Sequence, residues 1–298
     1  MGENTLLMDS ILNSMVFSKP LGSISSFKTG GKAYAYYQPD TYKNLCEIIE
    51  YCNIKGLPYK IIGNCTNILV SDAGYNGVII SLKKFSDIKL LKSGEVKVGA
   101  GANLSLLIDF CIKNGLSGLE YLAGIPATVG GAITMNAGAF LSCISDHITV
   151  VETIKKNKFY RVDKSNCKFS YRNSKFLHSK EVVVACKFLL NKDAPENIKK
   201  RALDCQNTRK TFQPLGRTCG SVFKNPKGYH AGELIERAHL KGYKIGGASV
   251  SEKHANFIVA NEGCTSLDIK KLISFIKMEV YSKFNVKLNE EIEYLGDF

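Results

Sequence analysis

Two stretches of this chain hold the residue types that grip phosphate oxygens. In "IIGNCTNILV", residues 61 to 70, the chain leaves an apolar run through Gly63. It then offers consecutive backbone N–H groups beside the side chains of Asn64, Cys65, Thr66 and Asn67, a set suited to hydrogen bonding with phosphate. The same composition also makes an ordinary strand-loop-strand turn, because Asn and Gly populate turns for local conformational reasons. In "GLEYLAGIPATVGGAITMNAGAF", residues 118 to 140, glycines alternate with apolar residues of the kind found in cores. Close packing of backbone on backbone is one use for such glycines. A pyrophosphate cradle suits better the combination of Gly124, Ile125, a fixed Pro126, Thr128, Val129, paired Gly130 and Gly131, Asn136, Gly138, Ala139 and Phe140. Neither stretch is a G-x-G-x-x-G turn, so a standard dinucleotide fold is disfavoured.

The elements that must position these loops alternate along the chain. "TYKNLCEIIEYCNIKG" sets Leu45, Ile48, Ile49 and Cys52 at helical spacing with Gly56 at the end. "YKII", "ILVS" and "GVIISL" read as short strands, and "GEVKVGAGANLSLLIDFCIKNG" as a strand, a glycine turn, an Asn103 cap and a helix ending at Gly115. "HITVVETI", "KFYRVD" and "EVVVACKFLL" follow as strands of a sheet. From about residue 193 a charged helical stretch, "NIKKRALDCQNTRK", leads into a second unit. That unit holds the helix "AGELIERA", the strand "NFIVAN" and a long helix announced by the Thr265/Asp268 capping pattern. The final "VKLNEEIEYLG" alternates like a half-buried strand.

Composition excludes several classes. At 298 residues and 45% hydrophobic, the chain can bury a sizeable core, and its length suggests two or three domains. No run of 18 apolar residues occurs, and the opening "MGENTLLMDSILNSMVF" lacks a basic stretch ahead of its apolar residues. Neither a membrane span nor a leader peptide is expected, and the cytoplasm is the expected address. The ten cysteines show no C-x-x-C pair and no histidines at ligand spacing. Reduced, packed thiols are therefore favoured over a metal site, and no metal is expected. A net charge of +13 invites a nucleic-acid reading. Only six of the 40 basic residues are arginines, however, and the lysines are spread over the whole chain. That is compositional bias, and it also suits steering of anionic small molecules.

The runs "GNCTNILVSDAGYNGVII", "YLAGIPATVGGAITMNAGAF", "FSYRNSKF", "GSVFKNP", "KGYKIGGASVSEKHANFIV" and "LNEEIEYLG" together resemble the UDP-N-acetylenolpyruvoylglucosamine reductase family, in its compact second type. They occur in that family's order from about residue 27 to the C-terminal end. The resemblance implies an α+β fold: a two-lobed FAD-binding domain of the vanillyl-alcohol oxidase type over residues 1–193, with lobes of about 1–80 and 81–193. A C-terminal α+β substrate-binding domain would then cover 194–298. It further implies a monomeric enzyme that binds FAD without a covalent link and takes NADPH and UDP-N-acetylglucosamine enolpyruvate as small-molecule substrates. No nucleic-acid or membrane partner is implied.

By the same resemblance Arg172 is the catalytic arginine, Ser221 the proton donor and Glu291 the acidic partner of the arginine. Apart from the motifs, Arg172 would read as a surface arginine and Ser221 as a turn serine. Glu290 and Glu291 would face opposite sides of a strand, and motif register selects Glu291. Substrate contacts are expected from Asn225, Arg209, Lys224, Lys253, His254 and Asn256, although a lone histidine is as often structural. Three positions depart from the family pattern: Cys65 adds bulk in the first loop, Ala127 stands where glycine is usual, and Phe212 replaces a frequent lysine.

Overall fold

The computed structural model describes residues 11–298. The opening ten residues, which belong to the stretch read for a leader peptide, lie outside the described residues. The chain forms two compact units, each assembled from separated segments. The first takes the residues up to Phe17, then Ala35–Gly63 and Gly77–Thr208, and the second takes Ser18–Tyr34, Asn64–Asn76 and Arg209–Phe298.

In the first unit the Tyr42–Ile54 helix starts where Thr41 Oγ1 accepts the Asn44 N–H at 3.1 Å, and it buries Leu45, Ile48, Ile49 and Cys52. This is the face that the helical spacing specified. After Gly56, at a left-handed φ of 62°, the strand Tyr59–Ile62 pairs in parallel with Val78–Ser81. These strands sit at one end of a four-stranded sheet ordered Val16–Pro20, Lys32–Tyr37, Tyr75–Ser81, Tyr59–Ile62. A second sheet, antiparallel throughout, runs in the order Lys158–Asp163, Ile148–Lys155, Val182–Phe188, Val96–Gly99, Ile88–Leu90. Its apolar face packs Val98, Val151, Ile154, Val184 and Phe188 with Leu104, Leu107 and Ile108 of the Leu104–Lys113 helix in one continuous core. Asn103 occupies the N-cap position of that helix, but its side chain makes no capping bond. The backbone there is recruited elsewhere: Leu104 N–H donates to the Ala127 carbonyl at 3.0 Å, and Asn103 bridges Thr128.

The second unit has its own core. The Ser266–Phe284 helix opens with a complete capping box, Asp268 N–H to Thr265 Oγ1 at 3.1 Å and Thr265 N–H to Asp268 Oδ2 at 3.0 Å. Asp72 accepts two further first-turn donors, Ser266 N–H and Leu267 N–H, each at 2.9 Å. With the orphan N–H groups satisfied, the helix lays Ile269, Leu272, Ile273, Ile276 and Val280 against Leu234, Ile235, Val250 and Ile258. The last contacts come from the Ala231–Arg237 helix and an antiparallel sheet of Lys244–Ile245, Ala248–Val250 and Ile258–Ala260. The strand expected across the C-terminal run is shorter, Glu293–Leu295, and pairs in parallel with Ile68–Val70. Residues just before it bond to a different partner, the 222–224 segment, so the run is divided between two neighbours.

The charged stretch is the helix Pro195–Phe212, and only Ile198 and Ala202 are buried, leaving the solvated face that its composition required. All ten cysteines are free thiols. Burial pushes Cys52, Cys111, Cys167 and Cys186 up, and Cys219 to about 12, which suits inert packed groups. Among the described residues, no cluster of His, Cys, Asp or Glu could hold a metal, and no helix is long and apolar enough to cross a membrane.

Candidate active site

The second glycine stretch lies wholly in the first unit and folds into a short helix, Val129–Thr134, with Thr128 at its N-cap. Thr128 Oγ1 accepts the Gly131 N–H at 3.3 Å, while the Val129 and Gly130 N–H groups donate to the Ala102 and Ala100 carbonyls, each at 2.8 Å. Several backbone donors that the sequence offered to phosphate are thus engaged by the protein itself. Gly130 has a packing reason: a Cβ there would stand 2.8 Å from that of Ala100. Gly63 has another, since a Cβ would strike Thr128 Oγ1, so the first stretch leaves its strand in contact with the start of the second. Gly138 and Ala139 pair with Ser142 and Cys143 in a tight hairpin whose exposed tip is Phe140 and Leu141, both at positive φ. The donor set of the loop Gly63–Asn67 and of the run Gly124–Phe140 is neutral, with Asn64, Thr66, Asn67 and Thr128 and no carboxylate in either. That chemistry fits a dinucleotide diphosphate, which acidic neighbours would repel.

Asn136 connects this stretch to Arg172. Buried to 5% exposure, it donates from Nδ2 to the Ser170 carbonyl at 2.9 Å and accepts the Ser145 N–H on Oδ1 at 3.3 Å. Ser174 Oγ donates to the Thr134 carbonyl at 2.7 Å. Between these anchors Ser170 and Asn173 exchange both backbone hydrogen bonds at 3.1 Å, closing a two-residue turn of Tyr171 and Arg172. Arg172 takes φ 50°, a left-handed conformation that costs a non-glycine residue about 1–2 kcal/mol. Its guanidinium lies 5.5 Å from the centre of the Tyr171 ring. A strained arginine on a doubly anchored turn is the pattern expected where a side chain must be aimed.

In the second unit Ser221 and Glu291 lie on adjoining backbone segments. Ser221 bridges Phe257 on one side; on the other, Glu291 N–H donates to the Val222 carbonyl at 2.7 Å and Lys224 N–H to the Asn289 carbonyl at 2.9 Å. Asn67, from the first phosphate-type loop, donates from Nδ2 to the Glu291 carbonyl at 2.9 Å, and its own carbonyl accepts Glu293 N–H at 2.9 Å. The carboxylate of Glu290 accepts from Lys277 at 2.8 Å, so Glu290 is committed to an ion pair with the long helix. Cys65 is buried and left-handed at φ 52°, a conformation that glycine adopts without strain.

The expected substrate contacts divide. Lys253 donates from Nζ to the Lys210 carbonyl at 2.6 Å, which ties its ammonium to the backbone of the residue after Arg209. Asn225 follows Lys224 and accepts the Ala231 N–H at 3.0 Å, capping the Ala231–Arg237 helix. Burial lowers the His254 pKa, and Nδ1 accepts the Asn256 N–H at 3.2 Å. Asn256 is 4% exposed, and both ends of its amide are bonded to Phe223. Sequence reasoning passed over Asp72, Ser174 and Lys277. Asp72 lies inside the quoted run "GNCTNILVSDAGYNGVII" and Ser174 inside "FSYRNSKF", but nothing local marks their partners.

A flavin adenine dinucleotide-binding protein is the class that this arrangement and its relatives define: an FAD binding domain family matches residues 33–157. A glucose dehydrogenase, Phl p 4.0202, shares the fold alone, with a TM-score of 0.50, 13% identity and coverage of 63% of this chain and 44% of that one. Residues 212–295 match the C-terminal domain of UDP-N-acetylenolpyruvoylglucosamine reductase. The reductase of that name from Caldicellulosiruptor saccharolyticus is 39% identical over 284 residues, 94% of this chain and 91% of its own length. That from Clostridium botulinum is 38% identical over 287 residues, 96% of this chain and 94% of its own. The crystal structure of the Thermus caldophilus enzyme superposes with a TM-score of 0.80 at 32% identity, covering 95% of this chain and 98% of that one. This chain belongs to the UDP-N-acetylenolpyruvoylglucosamine reductase family.

Proposed function

We propose that this chain reduces the enolpyruvyl group of UDP-N-acetylglucosamine enolpyruvate to give UDP-N-acetylmuramate in peptidoglycan precursor synthesis, with non-covalent FAD and NADPH as the reductant. Family membership supports the reaction. The observation that carries the residue assignment is the 2.7 Å bond from Glu291 N–H to the Val222 carbonyl, which sets Glu291 beside the residue following Ser221. Gly63 to Asn67 and the stretch from Gly124 to Phe140 would hold the cofactor through neutral hydroxyl, amide and backbone donors. Bound there, the flavin would supply the hydride chemistry that carries reducing equivalents from NADPH to the terminal vinyl carbon of the substrate.

The chain's own residues handle the charge that follows. Negative charge gathers on the carbon alpha to the substrate carboxylate. The planar fork of Arg172 pairs with that carboxylate as it gains charge. Glu291, in its protonated form, adds a hydrogen bond to the same enolate, and Ser221 delivers the proton to the alpha carbon as a general acid. Lys224, Asn225, Arg209, Lys253 and His254 are assigned to the UDP-sugar, with the cations of Arg209 and Lys224 suited to its diphosphate. In this reading residues 1–193 carry the flavin and 194–298 the sugar nucleotide. The enzyme works as a cytoplasmic monomer on small molecules, without nucleic acid or membrane.

The test is an anaerobic absorbance spectrum of the FAD-loaded protein. The flavin band is expected to bleach with NADPH and return on adding UDP-N-acetylglucosamine enolpyruvate. Recovery only on admitting oxygen would make the protein an oxidase of the same fold, and absence of flavin after adding FAD would overturn the reading of the glycine stretches.

A further inference from the structure

The geometry points to Asn256 as the positioning residue that sets Ser221 and Glu291 for proton delivery, acting through backbone and making no contact with the substrate. This inference rests on the reductase reading above. Val222 N–H donates to the Asn256 carbonyl at 2.8 Å. One residue on, the Asn256 side chain takes over the role of a neighbouring strand: Oδ1 accepts Phe223 N–H at 2.9 Å and Nδ2 donates to the Phe223 carbonyl at 2.8 Å. A single residue thus holds three backbone polar groups of the two residues that follow Ser221.

The opposite edge of the same segment holds Glu291, through the Val222 carbonyl, and Asn289, through Lys224 N–H. Val222 is therefore bonded on one side to Asn256 and on the other to Glu291. Phe223 is 1% exposed and Asn256 4%, so water cannot replace the amide. The amide has its oxygen and one N–H directed at main chain in a near-strand geometry, the reverse of a group presented to a ligand. Removing it frees the register on which both Ser221 and Glu291 depend. A displacement of about 1 Å in a positioned group costs a rate of order 100-fold.

The experiment compares wild type, Asn256→Ala and Asn256→Asp as FAD-loaded proteins. The two half-reactions are followed by anaerobic stopped flow in H2O and D2O, and binding of UDP-N-acetylmuramate by calorimetry. For Asn256→Ala the expectation is unchanged bleaching by NADPH, flavin reoxidation slowed about 100-fold, a larger solvent isotope effect on that step, and unchanged affinity for the sugar nucleotide. The Asn256→Asp variant keeps the acceptor for Phe223 N–H and loses the donor to its carbonyl, so its rate should fall between the other two. Should Asn256→Ala fail to fold, Asn256→Asp carries the test, with slowed reoxidation and a raised isotope effect expected. Reoxidation at the wild-type rate overturns the inference, and so does a loss of affinity with no change in the isotope effect, which would make Asn256 a substrate contact. Failure of wild type itself to reoxidise with the enolpyruvyl substrate would instead overturn the reductase reading, and is distinguishable because it occurs before any substitution.

Discussion

Arg172 is held on a two-residue turn at φ 50°, fastened by two side chains, Asn136 and Ser174. Ser221 and Glu291 stand on backbone at negative φ, threaded between Asn256 and Phe257 on one edge and Asn67 on the other. Under the proposed reaction the contrast follows from what each group would do. A carboxylate clamp needs a long side chain aimed at one point, and a tight turn aims it at the cost of strain and reliance on a few anchors. A proton donor and its acidic partner need a fixed mutual register, and paired main chain supplies that with little strain while spreading the load over many bonds.

The sharpest break in this comparison comes from Ser221→Ala. Flavin reoxidation by the enolpyruvyl substrate should slow by about 10²–10⁴-fold with NADPH bleaching intact, and stopped-flow absorbance reads both; loss of bleaching would remove Ser221 from the second half-reaction. Next is Arg172→Lys, which keeps the charge and discards the fork. Reoxidation should drop about 10²–10³-fold, and a drop below tenfold would mean that charge alone suffices at the turn. Asn136→Ala tests the anchors. Stranding the Ser170 carbonyl and Ser145 N–H should lower stability by about 1–3 kcal/mol, visible in thermal unfolding, and should slow reoxidation without altering its solvent isotope effect. A raised isotope effect there would erase the distinction between the two regions.

The smallest effect concerns pH. Burial first, and then Lys241, lowers the His254 pKa, so the unfolded chain takes up this proton before the folded one. Stability from the neutral imidazole is complete above the ordinary histidine range of about 6.5 and is lost as pH falls through the lower folded value. His254→Asn retains an acceptor for the Asn256 N–H and cannot titrate. Its melting temperature should fall less than that of wild type when pH is lowered from about 7.5 to about 5.5, and an equal fall would detach His254 from the register of this segment.

Much of the secondary structure was legible because its causes are local. Leu45, Ile48 and Ile49 recur within two turns, and Thr265 and Asp268 satisfy each other's N–H groups three residues apart. Asn103 shows the limit of such reading: the residue type and position are those of a cap, yet the side chain forms no capping bond, and the first helical N–H, of Leu104, donates to the Ala127 carbonyl. The alternation in "VKLNEEIEYLG" likewise foretold an extended chain but not its division between residues 222–224 and Ile68–Val70. In the glycine stretches the composition revealed where backbone comes close, whereas the closeness at Gly63 and Gly130 is to Thr128 and Ala100 of the protein itself.

What the sequence by itself determined were the Thr265/Asp268 cap, the apolar faces and the neutral donor set of the two loops, since each depends on residue type and short spacing, while Arg172, Ser221 and Glu291 were singled out by resemblance to the family. Only the tertiary structure decided that Asn64–Asn76 belongs with the C-terminal residues, that Asn67 holds Glu291, and that Asn256 spends its amide on Phe223. These choices pair groups 33 to 224 positions apart. Local propensity does not reach that far, and the register is selected by burying two separate cores while pairing the backbone groups that enter them.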